Sequence, residues 1–413
     1  MAGRVCIVTP GSLASNPRVL KEAGALHDAG YEVMTVGCEY SASLSAADDT
    51  LVSRVPWKVL RVPRPASERY VAATSRTVAR AFDRLGATVP MSIAASAYDG
   101  PAAALRSAAV EVAADLYIAH YVVALPAAAE AARRHRGMLA FDAEDFHSGE
   151  GGDGEAEAFR MRLVRRIEGA ILPRCSYSTA ASPLIGMAYE KAYGIKPVTM
   201  LNVFPLSMAP DRPSHRAAGE LRAYWFSQTV GLDRGLQAFM EGITKAQAKV
   251  TLDIRGNDPW RHGESLLALA RDLGVADRVR LLPVAAPDEM ARLAASYDLG
   301  LSLETEATDS RRFCLTNKIF TYLLAGIPVM MSNTPAQTAL ATELDSAAAM
   351  VSLSKPATIG EALDRLADEQ VLAKAKADAW RLARERYNWD KEKSVLLEVV
   401  ASVFRNRGKE AHR

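Results

Sequence analysis

Thr316, Asn317 and Lys318 stand near the start of the segment FCLTNKIFTYLLAGIPVMMS (313–332), whose other residues are mostly apolar. Ile319, Phe320, Leu323 and Leu324 recur at helical spacing, Gly326 and Pro328 stop the helix, and Val329-Met330-Met331 starts a strand. A polar helix N-terminus suits an anion, because the first N–H groups and the helix dipole both point there. Taken alone, the plainer reading is an ordinary helix capped by Thr316. A second such terminus follows the strand LRAYWFS (221–227). Residues 227–235 read as a loop, and Arg234 stands just before the next helix, where a guanidinium can clamp a diphosphate through charge-assisted bonds. Two anion-ready termini in one half of the chain fit a nucleotide diphosphate better than a carboxylate metabolite.

The first half offers a different set. TPGSLASNPR (9–18) is a Gly/Ser-rich loop without the GxGxxG dinucleotide fingerprint. Gly11 and Ser12 allow close backbone approach to a ligand, and Arg18, a cation in the first turn of a helix, calls for an anionic partner. His120 closes the strand DLYIAH (115–120), where it reads either as a satisfied structural histidine or as a catalytic one. FDAEDFHSGEGGDGE concentrates Asp142, Glu144, Asp145 and His147 after another strand, either as a solvated loop or as a binder of sugar hydroxyls. Walker, GxSxG, HExxH and paired CxxC motifs are absent from the sequence, which argues against an ATPase, a serine hydrolase or a zinc site.

Elements that position these residues alternate along the chain. Strand signals at 4–10, 31–38, 115–120, 138–145 and 177–183 are separated by helical stretches. The pattern pauses at 201–219 and restarts at 221–227, 250–257, 278–284, 298–304 and 327–332. The expected class is α/β: two Rossmann-like domains whose parallel sheets face a central cleft, with ligands at the carboxyl ends of the strands. The boundaries are 1–204 for the first domain, 205–219 for a linker, 220–390 for the second domain, and 391–413 for a helix packing back on the first. A length of 413 residues supports two domains, and a net charge of +2 argues against nucleic acid as partner. Four scattered cysteines suggest reduced, mostly buried thiols. The N-terminus lacks a signal-peptide h-region and no apolar run reaches membrane-spanning length, so a cytoplasmic location is expected.

Together these segments resemble the GT-B glycosyltransferases, specifically the retaining family 4 type. NPRVLKEAGALHDAGYEVMTV is similar to that family's first helix and second strand. WFSQTVGLDRGLQAF looks like its donor-phosphate loop, LTNKIFTYLLAGIPVMMSNTPAQ like its donor-binding helix, and ERYNWDKE like its C-terminal signature. The resemblance implies a UDP- or GDP-linked sugar donor on the second domain, an acceptor on the first, no cofactor and metal-independent chemistry. It implies that Arg234 neutralises the leaving diphosphate, that Lys318 assists, and that His120 lies near the reacting sugar. On the donor side it marks Gly11, Ser12, Ser227, Gln228 and Gly256, then Leu315, Thr316, Asn317 and Thr321. Arg18, Asp142, Asp145 and His147 fall on the acceptor side. The family's paired glutamates align with Phe313 and Thr321, neither of them a carboxylate; Glu304 and Glu306 lie just upstream, and one or the other is the expected substitute. Gln228 replaces an early arginine, and Glu144 stands where a histidine is common.

The resemblance implies a sugar transferred to a hydroxyl of a saccharide, lipid-linked or small-molecule acceptor, in cell-envelope or exopolysaccharide synthesis. Competing readings are natural-product glycosylation, a non-catalytic nucleotide-sugar binder and an epimerase. A peripheral contact with the inner face of the membrane is a further expectation. Arg54, Lys58, Arg61 and Arg64 surround Trp57, and Arg76, Arg80 and Arg84 form a helical stripe near Phe82. The plainer reading of that stripe is a solvated face with salt bridges, Asp83 being one partner.

Overall fold

Buried, β-branched and aliphatic runs in each half pair into one parallel sheet. The computed structural model describes residues 3–39, 48–64, 66–212 and 219–410, and it divides into two units, residues 1–200 with 393–413 and residues 201–392. Within the expected linker, Leu206–Met208 form a short 3-10 turn, and residues 213–218 lie outside the described residues.

In unit 1 the strands are β1 (Arg4–Thr9), β2 (Glu32–Cys38), β3 (Lys58–Val62), β4 (Leu116–His120), β5 (Met138–Ala143), β6 (Tyr177–Ala180) and β7 (Val198–Thr199). They pair in parallel in the order β3-β2-β1-β4-β5-β6-β7. Ile7 of β1 lies opposite Thr35 on one side and Ile118 on the other, so β1 and β4 flank the point where strand order reverses. Helix α1 (Pro17–Asp28) starts where Asn16 Oδ1 accepts from the Val19 N–H at 3.2 Å, with Pro17 in the first turn. Val19, Ala23 and Leu26 are buried on α1, and Arg18, Lys21 and Glu22 are buried as well. Helix α2 (Glu68–Arg84) lies largely exposed, helix α3 (Tyr121–His135) follows β4 directly, and helix α4 (Glu155–Ile171) comes after β5. The direct β4–α3 junction places Tyr121 at φ 63°, a left-handed conformation that costs a bulky residue about 1–3 kcal/mol.

Unit 2 repeats the plan with β8 (Leu221–Thr229), β9 (Val250–Asn257), β10 (Val279–Leu282), β11 (Leu299–Ser302), β12 (Val329–Ser332) and β13 (Ala348–Val351), in the parallel order β10-β9-β8-β11-β12-β13. Its core joins Trp225, Phe239, Leu252, Ile254, Leu301 and Met330. Strand β8 continues through a register shift between Phe226 and Thr229. Ser227 and Gln228 therefore belong to the strand rather than to the loop expected there, and the loop is residues 230–235. Gly235 caps helix α5 (Leu236–Ile243) at φ 68°, where a Cβ would come within 2.7 Å of Leu303. Helix α6 (Asp309–Phe313) and helix α7 (Asn317–Ala325) follow β11. Gly326 ends α7 as its sequence position predicts, its N–H donating to the Leu323 carbonyl at 2.9 Å. Helix α8 (Trp389–Glu410) closes the chain; Arg407 donates to the Asp115 and Arg136 carbonyls of unit 1 at 3.0 and 2.9 Å.

Strands β3, β7 and β13 are absent from the expected pattern. β3 lies inside the basic segment 54–64, on an edge strand where Lys58 and Arg61, three residues apart, interrupt the apolar Val59, Leu60 and Val62 without a regular alternation. The other two are short edge strands at the far ends of the sheets. The four cysteines are free, with Cys6, Cys38 and Cys314 buried and Cys175 partly so.

Candidate functional site

Glu304 organises the carboxyl end of the unit 2 sheet. It follows β11 and its side chain is 1% exposed, and Lys318 Nζ lies 3.3 Å from Oε1. Arg311 Nη1 donates to Oε2 at 2.6 Å, and Arg234 Nη1 stands 3.7 Å from the same oxygen. Burial opposes ionisation of Glu304, but Lys318, Arg311 and Arg234 overcome it and hold its carboxyl below the usual range. The cluster is drawn from three places: Arg234 from the β8–α5 loop, Arg311 from α6, and Lys318 from the first turn of α7. Lys318 also lies over the Trp225 ring, 6.0 Å from its centroid. The Arg234 Nε is buried without a hydrogen bond among the described residues, 3.5 Å from Asp233 Oδ1.

The two upstream carboxylates separate here: Glu304 is in the cluster and Glu306 is exposed. Thr316 occupies the cap position of α7, but its hydroxyl pairs with Ser302 Oγ at 3.0 Å instead of capping its own helix. Asn317 is half-buried at the start of α7, and Leu315 is buried just before it. Thr321 Oγ1 donates back to the Asn317 carbonyl at 3.0 Å. Ser227 is half-buried and Gln228 exposed, while a Cβ on Gly256 would lie 2.9 Å from the Ser227 carbonyl, so glycine lets β8 and β9 approach there. Arg311 was not among the residues singled out in the sequence. Its five-residue helix leaves no periodic signal, although Thr308 caps it by accepting from the Arg311 N–H at 3.3 Å.

In unit 1 the carboxyl ends of β1, β4 and β5 converge on a buried ionic network. Arg18 makes a bidentate pair with Asp142, Nε to Oδ2 at 2.6 Å and Nη2 to Oδ1 at 2.7 Å. The anionic partner that Arg18 calls for is thus a side chain of this protein. His120 Nε2 lies 3.2 Å from Glu22 Oε2 and its Nδ1 3.3 Å from Asp142 Oδ2, while Thr179 Oγ1 donates to Asp142 Oδ1 at 2.5 Å. Arg18, Glu22, His120 and Asp142 are each at most 1% exposed. Burial alone would raise the Asp142 carboxyl, but Arg18 and His120 bring it down to about 2. Burial disfavours His120 protonation, and Glu22 and Asp142 more than reverse this, raising its pKa. Lys21, buried beside Arg18, is lowered to about 7 chiefly by desolvation. Glu22, His120 and Asp142 place ligand atoms within 4.8 Å of one another, but Arg18 already supplies the cation at Asp142. The geometry brings together Arg18, His120 and Asp142 and adds Glu22, Lys21 and Thr179. The i,i+4 spacing of Arg18 and Glu22 on α1 was the available signal. Gly11 is half-buried, and Ser12 is buried with its Oγ lacking a hydrogen bond among the described residues.

Beside this network Tyr121 donates to Glu144 Oε2 at 2.8 Å, and its ring lies 5.7 Å from that of His147. Asp145 is half-buried and its carbonyl accepts from the Tyr189 hydroxyl at 3.3 Å. His147 Nδ1 lies 2.6 Å from Glu150 Oε1. Burial opposes its charge, yet Glu150 and Glu168 raise its pKa from 6.5 to about 9. A folded-state value above the unfolded one means stability that is fully present below about pH 6.5 and lost as pH rises through 9, on the order of 3 kcal/mol. Urea unfolding should therefore show a gap between the native protein and His147→Gln that is wide at pH 6 and narrows by pH 9.5. A gap that widens with pH would contradict the assignment.

Among the described residues no helix is long and apolar enough to cross a membrane. The stripe residues Arg76, Arg80 and Arg84 are exposed on α2, while Asp83 pairs with Arg162 of α4, Nε to Oδ1 at 3.0 Å and Nη2 to Oδ2 at 2.9 Å.

Comparison with protein-family models and with curated proteins gives no match. Solved structures do match over nearly the whole chain. HepE from Anabaena, solved with UDP and glucose, superposes with a TM-score of 0.71 at 15% identity, covering 97% of this chain and 100% of that one. Sucrose-phosphate synthase from Thermosynechococcus elongatus gives 0.70 at 12% identity, over 98% and 99%. A TarM variant of S. aureus, solved with fondaparinux, α-GlcNAc-glycerol and UDP, gives 0.67 at 9% identity, over 96% and 99%. With two parallel sheets of the same switch-point order, one in each unit, this chain has the GT-B glycosyltransferase fold.

Proposed function

We propose that this protein transfers a sugar from a nucleotide diphosphate sugar to an acceptor hydroxyl, with retention at the anomeric carbon, in the assembly of a cell-envelope or exopolysaccharide product. The observation that carries the reading is the Glu304 cluster, in which one buried carboxylate gathers Arg234, Arg311 and Lys318 beside the start of α7. Three cations on one buried anion leave net positive charge for the leaving diphosphate, whose stabilisation is the main electrostatic task of such a transfer. Support from the fold is that HepE has been solved with UDP-glucose. Arg234 and Lys318 would bind the diphosphate, and Ser227, Gly256, Thr316, Asn317 and Thr321 would shape the donor pocket around it. No step here draws on a metal, since these side chains carry the charge themselves. The buried Arg18–Asp142–His120–Glu22 network would act by position, holding the β4–α3 junction and the Asp145–His147 segment that meet the acceptor.

A screen of UDP- and GDP-sugars for thermal stabilisation tests the donor half, because a ligand that binds the native state raises stability by mass action. Stabilisation by at least one donor, followed by its cleavage, is expected. A donor that binds without cleavage would favour the non-catalytic reading, for which the absence of carboxylates at Phe313 and Thr321 is the specific observation.

The acceptor reading extends to a peripheral membrane contact through α2. Tyr70, Val78 and Leu85 are 73%, 42% and 82% exposed, and at helical spacing they share one face beside the exposed Arg76, Arg80 and Arg84. The segment 54–64 contributes less, because Arg61 pairs with Asp49 and Arg64 with Glu68, and Trp57 packs near His27. Co-sedimentation with anionic vesicles at low salt should capture the protein, fade as salt rises, and fail when the three stripe arginines become Gln. Absence of capture at low salt would point to a soluble acceptor.

A further inference from the structure

We propose that Arg311 is a third diphosphate-binding cation and that the Asp233 carboxylate is an internal anion which the diphosphate displaces. The inference rests on the reading of this site as a nucleotide-diphosphate site. Asp233 stands between two guanidinium groups from different segments, 3.5 Å from Arg234 Nε and 3.4 Å from Arg311 Nη2. Its side chain is 62% exposed, while the Glu304 beneath the same cations is 1% exposed. The two carboxylates therefore differ in freedom. Glu304 is held by Lys318, Arg311 and Arg234 and by its buried position, and leaving would strand a charge in the interior. Asp233 faces water and can rotate into it at little cost.

With Asp233 turned away, Arg234, Arg311 and Lys318 oppose Glu304 alone, and the net charge of the cluster rises from +1 to +2. A diphosphate brings matching negative charge and several acceptor oxygens, which suit planar guanidinium forks better than one carboxylate does. Arg234 Nε, which makes no hydrogen bond among the described residues, gains an acceptor in the exchange. Arg311 is fixed for the task by its capped helix and by its 2.6 Å bond to Glu304, so little rotamer freedom remains to be lost on binding. Until a diphosphate arrives, Asp233 ties the β8–α5 loop to α6 and screens the site against weaker anions.

Titration calorimetry of the full chain with UDP, UMP and inorganic pyrophosphate tests the exchange. Arg311→Gln should weaken UDP and pyrophosphate at least about tenfold and UMP less, with Arg311→Lys recovering part of the loss. Asp233→Asn should act in the opposite direction, tightening UDP and pyrophosphate about two- to fivefold, an effect that shrinks at high salt. UDP affinity unchanged in Arg311→Gln, or unchanged or weaker in Asp233→Asn, would overturn the proposal while leaving the donor site standing. If Arg311→Gln does not fold, the exposed Asp233→Asn variant decides alone. Failure of the native chain to bind UDP, GDP or pyrophosphate would remove the donor reading itself, and this inference with it.

Discussion

Replacement of Arg18 by Ala should destabilise the protein by about 3–5 kcal/mol, the usual cost of removing one partner of a buried ion pair. Arg18 and Asp142 each have side chains 1% exposed, so water cannot take over the lost bidentate contact. Asp142 would keep Thr179 and His120 but lose its strongest counter-charge, and Glu22, 3.4 Å from Arg18 Nε, would lose a partner too. Arg18→Lys should recover only part of the loss, because an ammonium cannot reproduce two parallel N–H bonds. The sign with pH follows from the carboxyl held at about 2 against an ordinary 3.8. Its contribution is present above 3.8 and disappears as pH falls through 2, so the gap between native and variant should narrow in acid. Urea unfolding at pH 7 and pH 3 checks both points, and a penalty below about 1 kcal/mol at pH 7 would mean that Arg18 is replaceable by solvent.

Arg234→Ala should behave in the opposite way, damaging turnover far more than stability. Its side chain is 24% exposed, and Lys318 and Arg311 remain to neutralise Glu304, so folding should change by less than about 1 kcal/mol. A charge-assisted bond to the departing diphosphate is worth about 1.5–3 kcal/mol, which corresponds to a fall of roughly 10–150-fold in kcat/KM. Lys318→Ala should weaken donor binding by a similar factor, but with a larger stability cost because Lys318 is 7% exposed. Normal turnover in Arg234→Ala would remove the phosphate role from that loop.

The strongest sequence signals were a helical period and a run of apolar residues. The apolar stripe of α7 and its stop at Gly326 follow from helical spacing and turn chemistry, and the buried strands β1, β4, β8 and β12 from short, nearly continuous apolar runs. Thr316 occupies the cap position its sequence predicts, but its hydroxyl turns to Ser302, because β11 runs beside the helix start, a tertiary fact with no local trace. Lys21 and Glu22 would pass for the solvent face of α1. They are buried because their helix lies over the carboxyl ends of the strands that carry His120 and Asp142. Glu304 and Glu306 are indistinguishable as letters, and the packing of β11 against β12 decides between them: Ser332 Oγ donates to the Glu304 carbonyl at 2.6 Å while Glu306 faces solvent. Asp233 and Arg311 are 78 positions apart, and their meeting depends on two loops whose lengths carry no code.

Retaining sugar transfer is tested most directly by proton NMR of the purified chain with a panel of α-linked UDP- and GDP-sugars, observing the first sugar released before it mutarotates. At least one donor should yield its nucleoside diphosphate, the sugar should first appear as the α anomer, and release should collapse in Arg234→Ala. First appearance of the β anomer would contradict retention, and a panel in which every donor stays intact would contradict the transferase reading.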